Sequence, residues 1–234
     1  MQMSSEIVTR IEALGVRVNP SSRFAQMARA FSRGIVSSDQ KEFPVAMEGA
    51  RDMRIMGFVL DNLRISREKL AGKMGRAILD AALLEDAGSN SPGRDVQHEL
   101  YVAAICSRNR VMSVALAEPD IVCGMDGYRW SIAAKRLKTF QQFRTRFREA
   151  VKQIDREGMP GTVVMDMSLT LNPRNQVICG EYSDQEIMNA HVSQMGSFLD
   201  EYGERMNEWT RGTNTCSLWV LSHVLRYSPE QEDF

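Results

Sequence analysis

Apolar residues recur every three or four positions along much of this chain, and the rhythm is clearest after residue 136. Leu137, Phe140, Phe143, Phe147, Val151 and Ile154 predict a long helix over about 138–156, ended by Met159-Pro-Gly161. Ile187, His191, Met195, Phe198, Tyr202, Met206 and Trp209 predict another, running to Gly212 and opened by Ser183 with Glu186 as a capping box. The first third of the chain reads as helix throughout: about 5–14 to Gly15, 22–33 to Gly34, and a third helix from Pro44 toward Leu63. Ser66 caps a fourth, carrying Leu70, Met74, Ile78, Leu79 and Leu83. Gly88-Ser-Asn-Ser-Pro-Gly93 is the strongest linker signal, and a helix over about 95–108 follows it.

Between these helices the period shortens. Val111–Ala117 is short, apolar and β-compatible. Two further strands, about 120–124 and 128–136, are joined at Asp126-Gly127, a dipeptide suited to a tight hairpin. Thr162–Leu169 reads as a buried strand, Asn172–Asn175 as a loop, and Ser217–Tyr227 as a last strand before an acidic tail. From residue 95 the order is helix, three strands, helix, strand, helix, strand, which predicts an α/β domain on a mixed sheet. The expected division is an all-helical region over 1–90, serving oligomerisation or partner binding, and an α/β domain over 91–234.

Composition narrows the class without choosing a function. The 234 residues are 43% apolar and 25% charged, enough for a proper core. No run approaches the ~20 apolar residues of a membrane span. The N-terminal Met-Gln-Met-Ser-Ser-Glu lacks a basic and an apolar signal region, so a cytoplasmic protein is expected. Cys106, Cys123, Cys179 and Cys216 are far apart, which predicts free, mostly buried thiols and no structural zinc. The fifteen methionines read as adaptable core filler. A net charge of −1 argues against a chain that coats nucleic acid by charge alone. The basic residues of the first third (Arg51, Arg54, Arg64, Arg67, Lys69, Lys73, Arg76) are interleaved with acids and read as a solvated face.

Several catalytic signatures are missing. Gly72-Lys73 lacks the upstream glycine and following Ser or Thr of a phosphate loop. His98-Glu99-Leu-Tyr-Val102 lacks the second histidine of a zinc-protease helix. There is no G-x-S-x-G elbow and no G-x-G-x-x-G. His191 and His223 lie in apolar periodic segments and read as core or boundary residues; Tyr128 and Trp130 read as core rather than as a base-stacking platform.

The hairpin carries the chemistry that remains. Asp120 opens one strand and Lys135 lies near the end of the other, where side-chain alternation gives Lys135 the same face as Ser131 and Ala133. A carboxylate and an ammonium on neighbouring strands suit a bound metal and a phosphate. Glu99, on the preceding helix, is the second acid expected there. From Lys135 to Lys152 there are seven basic residues and one acid, Glu149, the charge pattern of a phosphate-binding stripe.

Pro119-Asp120, fourteen residues, then Lys135 in Ile-Ala-Ala-Lys-Arg resembles the active-site signature of the PD-(D/E)XK nuclease superfamily. The resemblance covers about 95–170, with an extension to 227, and nothing of residues 1–87. It implies a restriction-endonuclease-like core and a metal-dependent nuclease using Mg²⁺ or Mn²⁺. It further implies Glu99, Asp120 and Lys135 as catalytic residues, Glu99, Asp120 and Glu118 as metal ligands, and Arg136, Lys138, Arg144 and Arg148 as contacts to nucleic acid, DNA in the first place. Such folds serve restriction, repair and defence. The sequence departs from the pattern at Ala133, where the family carries Asp or Glu. The alternative is therefore a nuclease-fold subunit that has lost the chemistry and binds nucleic acid or scaffolds a complex.

Overall fold

A computed structural model describes residues 2–32, 42–80, 91–108, 110–172, 178–179, 182–224 and 226–227. The chain divides into two compact units, Met1–Leu116 with Cys123–Gly127, and Ala117–Val122 with Tyr128–Phe234. The expected boundary at residue 90 differs from this division. The linker residues 88–90 lie outside the described residues, while Pro92 and Gly93 already belong to a helix.

The first unit contains α1 (Gln2–Ala13), α2 (Arg23–Ser32), α3 (Glu42–Asn62), α4 (Arg67–Ala77) and α5 (Pro92–Ser107). Ser66 caps α4, its hydroxyl accepting the Lys69 N–H at 3.4 Å. Proline suits the first turn of a helix because the missing N–H would have no partner there, so α5 starts earlier than expected. Its beginning is fastened to the end of α4: the Arg94 N–H donates to Asp80 Oδ2 at 3.0 Å. A Cβ at Gly93 would meet the Arg76 carbonyl at 2.8 Å, so only glycine fits there. Gly49 of α3 has the same role against the Met27 carbonyl, also 2.8 Å from a Cβ. Methionines fill this core, with Met27, Met53, Met56 and Met74 fully buried. A buried ionic group runs through it, in which Arg23 donates to Asp52, to the Ala77 and Leu79 carbonyls and to Gln97. Cys106 and Cys123 are buried and unbridged, and Cys216 is exposed.

The strands are β1 (Ser113–Ala117), β2 (Asp120–Met125), β3 (Tyr128–Arg136), β4 (Gly161–Asp166), β5 (Ile178–Cys179), β6 (Thr215–Leu221) and β7 (Arg226–Tyr227). They form a five-stranded sheet in the order β1-β2-β3-β4-β6 and a two-stranded one of β5 and β7. Asp126 and Gly127 both have positive φ (51° and 82°), as the hairpin turn requires. β3, β4 and β6 are parallel, with Ala133 beside Val163 and Val163 beside Leu218. The mixed α/β class is therefore as expected from the alternation of periods.

In the second unit a 3₁₀ turn (Phe140–Gln142) leads into α6 (Phe143–Glu157), and α7 (Ser168–Leu171) and α8 (Asp184–Thr210) complete the helices. The core lies between α6 and one face of β3 and β4, where Ala133, Phe143, Phe147, Ile154, Val163 and Met165 are buried together. Phe198 and Met206 of α8 join that cluster. The Ser183–Glu186 capping box at the start of α8 is present.

Two strands differ from expectation. β4 stops at Asp166 because its carboxylate accepts the Ser168 N–H at 2.9 Å and turns the chain into α7. The expected strand 217–227 breaks after Leu221; the His223 N–H donates to Ser168 Oγ at 2.9 Å, and Arg226–Tyr227 pairs instead with Ile178–Cys179. Tyr128 and Trp130 are not core residues, being 81% and 36% exposed. Trp130 donates its indole N–H to Thr162 Oγ1 at 2.8 Å. Leu83 and residues 173–175 lie outside the described residues.

Candidate functional site

Asp120 is the first residue of β2, and Lys135 is the last but one of β3. The turn at Asp126-Gly127 folds the strands back so that the Ala134 N–H donates to Asp120 Oδ2 at 2.8 Å. Lys135 Nζ lies 3.1 Å from the same oxygen. Both side chains are mostly covered, at 13% and 15% exposure. Two charges held at this depth must stay paired, since desolvating either one alone is costly. Alternation puts Ala133 on the Lys135 face of β3, and Ala133 is fully buried in the α6 core.

A second pair stands next to the first. Arg136 Nε lies 3.1 Å from Asp166 Oδ2, at 10% and 13% side-chain exposure, on the face of the sheet that alternates with Lys135. The other Asp166 oxygen accepts from the Ser168 hydroxyl at 2.5 Å. Ser168 Oγ is also 3.3 Å from His223 Nδ1. These groups occupy the carboxyl ends of the parallel strands β3, β4 and β6. β2 runs antiparallel to β3, so Asp120 reaches the same end. Open α/β sheets bind ligands at that end.

Asp166, Ser168 and His223 were not among the candidates read from the sequence. Their meeting depends on the β4–β6 register, to which local spacing gives no clue. The Asp166–Ser168 spacing, typical of a carboxylate that bonds the backbone two residues on, was the one local signal.

Glu99 belongs to the first unit, whereas Asp120 and Lys135 belong to the second; within its unit Glu99 pairs with Lys73. Glu118 is exposed in the turn before β2. Lys138 is half-buried, and its backbone N–H donates to Gln142 Oε1 at 3.3 Å. Arg144 is exposed, with its guanidinium 6.0 Å from the Trp209 ring centroid. Arg148 is exposed, and Arg146 pairs with Glu149 at 3.3 Å.

Among the described residues no group of three or more His, Cys, Asp or Glu side chains gathers as a metal cage. Magnesium commonly takes only one or two protein carboxylates and fills its shell with water and substrate phosphate. A carboxylate offers about four acceptor positions on two oxygens, so Asp120 can hold Lys135 and a cation together. No helix among the described residues is long and apolar enough to cross a membrane. Comparison with protein-family models, curated proteins and solved structures found no match.

Proposed function

We propose that this protein is a metal-dependent nuclease that hydrolyses phosphodiester bonds, with DNA as its substrate, of the PD-(D/E)XK type. The supporting observation is the Asp120–Lys135 pair, 3.1 Å apart, at the end of a mixed sheet where the parallel strands β3, β4 and β6 finish. In this reading Asp120 holds Mg²⁺ or Mn²⁺, and the ammonium of Lys135 stays within reach of a phosphate oxygen or an attacking water. A bound divalent ion supplies charge neutralisation at phosphate and a more acidic water. Asp120 keeps the Lys135 ammonium oriented, and Arg136, held by Asp166, offers a second cation to the substrate backbone. The basic residues on the outer side of α6, Arg148 and Lys152 among them, supply sequence-independent attraction for phosphates. Restriction, repair or defence is the setting the resemblance implies.

A second reading has its own observation. Ala133, in the position of the family's second acid, is fully buried in the core, and Glu99 is engaged by Lys73. A subunit that binds nucleic acid without cutting it accounts for both.

The two readings separate in one experiment. The nuclease cleaves plasmid or single strands when Mg²⁺ or Mn²⁺ is added, and the metal raises its melting temperature. The non-catalytic subunit retains nucleic acid in a salt-sensitive way, with neither cleavage nor a metal-induced shift.

A further inference from the structure

Two of the cysteines come together in the first unit. Cys106 is the last but one residue of α5, and Cys123 lies in β2, within the segment Cys123–Gly127 that belongs to the same unit. Both are buried, at 2% and 3% exposure, and the Cys123 S–H donates to the Cys106 sulphur. A buried thiol by itself is a small apolar side chain. Two thiols that share a hydrogen bond are a different case, because only a short move of each sulphur separates that contact from a disulfide.

The two thiols are also unequal. The hydrogen bond from Cys123 lowers the pKa of Cys106, against the opposing effect of burial. The same bond raises that of Cys123, and burial and the charge on Cys106 add to the rise. The thiolate is the reactive form, so Cys106 reacts first and Cys123 keeps its proton. The position of Cys106 gives it a route to solvent. Helix ends open before helix centres, and Arg108, two residues on, is exposed.

We infer that Cys106 and Cys123 are a reversible, peroxide-sensitive switch that closes to a disulfide and fastens β2 to the end of α5. The oxidant is hydrogen peroxide, which is small enough for a site this covered. The Cys106 thiolate attacks one peroxide oxygen, the O–O bond breaks, hydroxide leaves and Cys106 becomes a sulfenic acid. The Cys123 sulphur then attacks the sulfenic sulphur and the S–S bond forms. The S–O bond breaks, and the hydroxide that leaves takes the Cys123 proton as water. In sum, two thiols lose two electrons and two protons, and one peroxide becomes two waters. A dithiol reductant reopens the bridge.

Neither Asp120 nor Lys135 takes part. Side chains alternate along β2, so Cys123 and Asp120 face opposite sides of the strand. The switch therefore stands apart from the nuclease reading.

Thiol mapping of the full chain tests this. The protein is treated with hydrogen peroxide, its remaining thiols are alkylated, and it is digested with trypsin. The expected product is residues 95–108 joined to residues 111–129, lighter than the two peptides by two hydrogens and separated by dithiothreitol. Closing the loop between the two cysteines constrains the unfolded chain, so the melting temperature should rise by about 5 °C or more, a gain that dithiothreitol removes. In Cys123→Ala a 1,3-diketone should trap Cys106 as the sulfenic acid, whereas in Cys106→Ala Cys123 should stay reduced. Three results would each overturn the inference. One is peroxide that oxidises the exposed Cys216 and leaves Cys106 and Cys123 as thiols. Another is a bridge from either of them to a different cysteine. The third is oxidation of Cys123 as fast in Cys106→Ala as in wild type.

Discussion

Lys135 Nζ and Asp120 Oδ2 are 3.1 Å apart across a hairpin, and the Ala134 N–H donates to the same oxygen at 2.8 Å. Removing the amine takes a charged partner away from a mostly covered acid. Lys135→Met is therefore expected to cost ~1–3 kcal/mol of stability, read as a lower urea midpoint with an unchanged slope. Asp120→Asn with Lys135→Met removes both charges and should recover part of the loss. A double variant less stable than Lys135→Met alone would contradict a coupled pair.

Ala133 gives a sharper contrast. Its Cβ is enclosed with Phe143, Phe147 and Val163, so Ala133→Glu forces a carboxylate into an apolar layer. Such burial costs ~2–4 kcal/mol or more. The expected outcome is a clear fall in melting temperature without a gain in metal-dependent cleavage. A gain would mean that the core opens at this position and that an acid placed there can join the site.

The hairpin and its pair were legible from local chemistry, because Asp126-Gly127 fixes the turn and a two-residue turn fixes which residues face each other. Helix ends were legible where a side chain makes the cap, as at Ser66 and Ser183. Spacing along the chain says nothing about which parallel strands become neighbours, so the Arg136–Asp166–Ser168–His223 group was invisible. Ile178–Cys179 and Arg226–Tyr227 are too short to have a period. The start of α5, expected near residue 95, was missed for another reason: a Ser-Pro-Gly run reads as a linker, yet Pro92 and Gly93 are the residues that let a helix begin tight against α4.

Asp52 makes the first unit sensitive to acid. Burial alone would raise its pKa, but the Arg23, Arg51 and Arg94 guanidiniums and the Gln97 hydrogen bond outweigh it and bring the carboxyl down from 3.8 to about 2. A group depressed in the folded state contributes stability above its unfolded pKa and loses it as pH falls through the folded one. Between about pH 4 and pH 2 the protein should lose about 2 kcal/mol from this residue. Asp52→Asn should flatten that part of the stability–pH curve while lowering stability at pH 7. An unchanged acid limb in Asp52→Asn would contradict the assignment.

The basic side of α6 should act on nucleic acid through charge alone. Arg148→Glu and Lys152→Glu, both at exposed positions, should weaken binding equally for unrelated sequences. If both residues contact phosphates, neutralising them by Gln should lower the slope of log affinity against log salt by about 2. An unchanged slope would place the phosphate contacts elsewhere.

Cleavage of supercoiled plasmid with Mg²⁺ or Mn²⁺, by wild type, Asp120→Ala and Lys135→Ala at matched folded concentration, bears most directly on the proposed chemistry. Wild type should nick or linearise the plasmid, and each variant should be slower by ~10²-fold or more, as expected when a group aimed at developing charge is lost. Equal rates in all three proteins, or no metal-dependent cleavage by wild type, would contradict the nuclease reading.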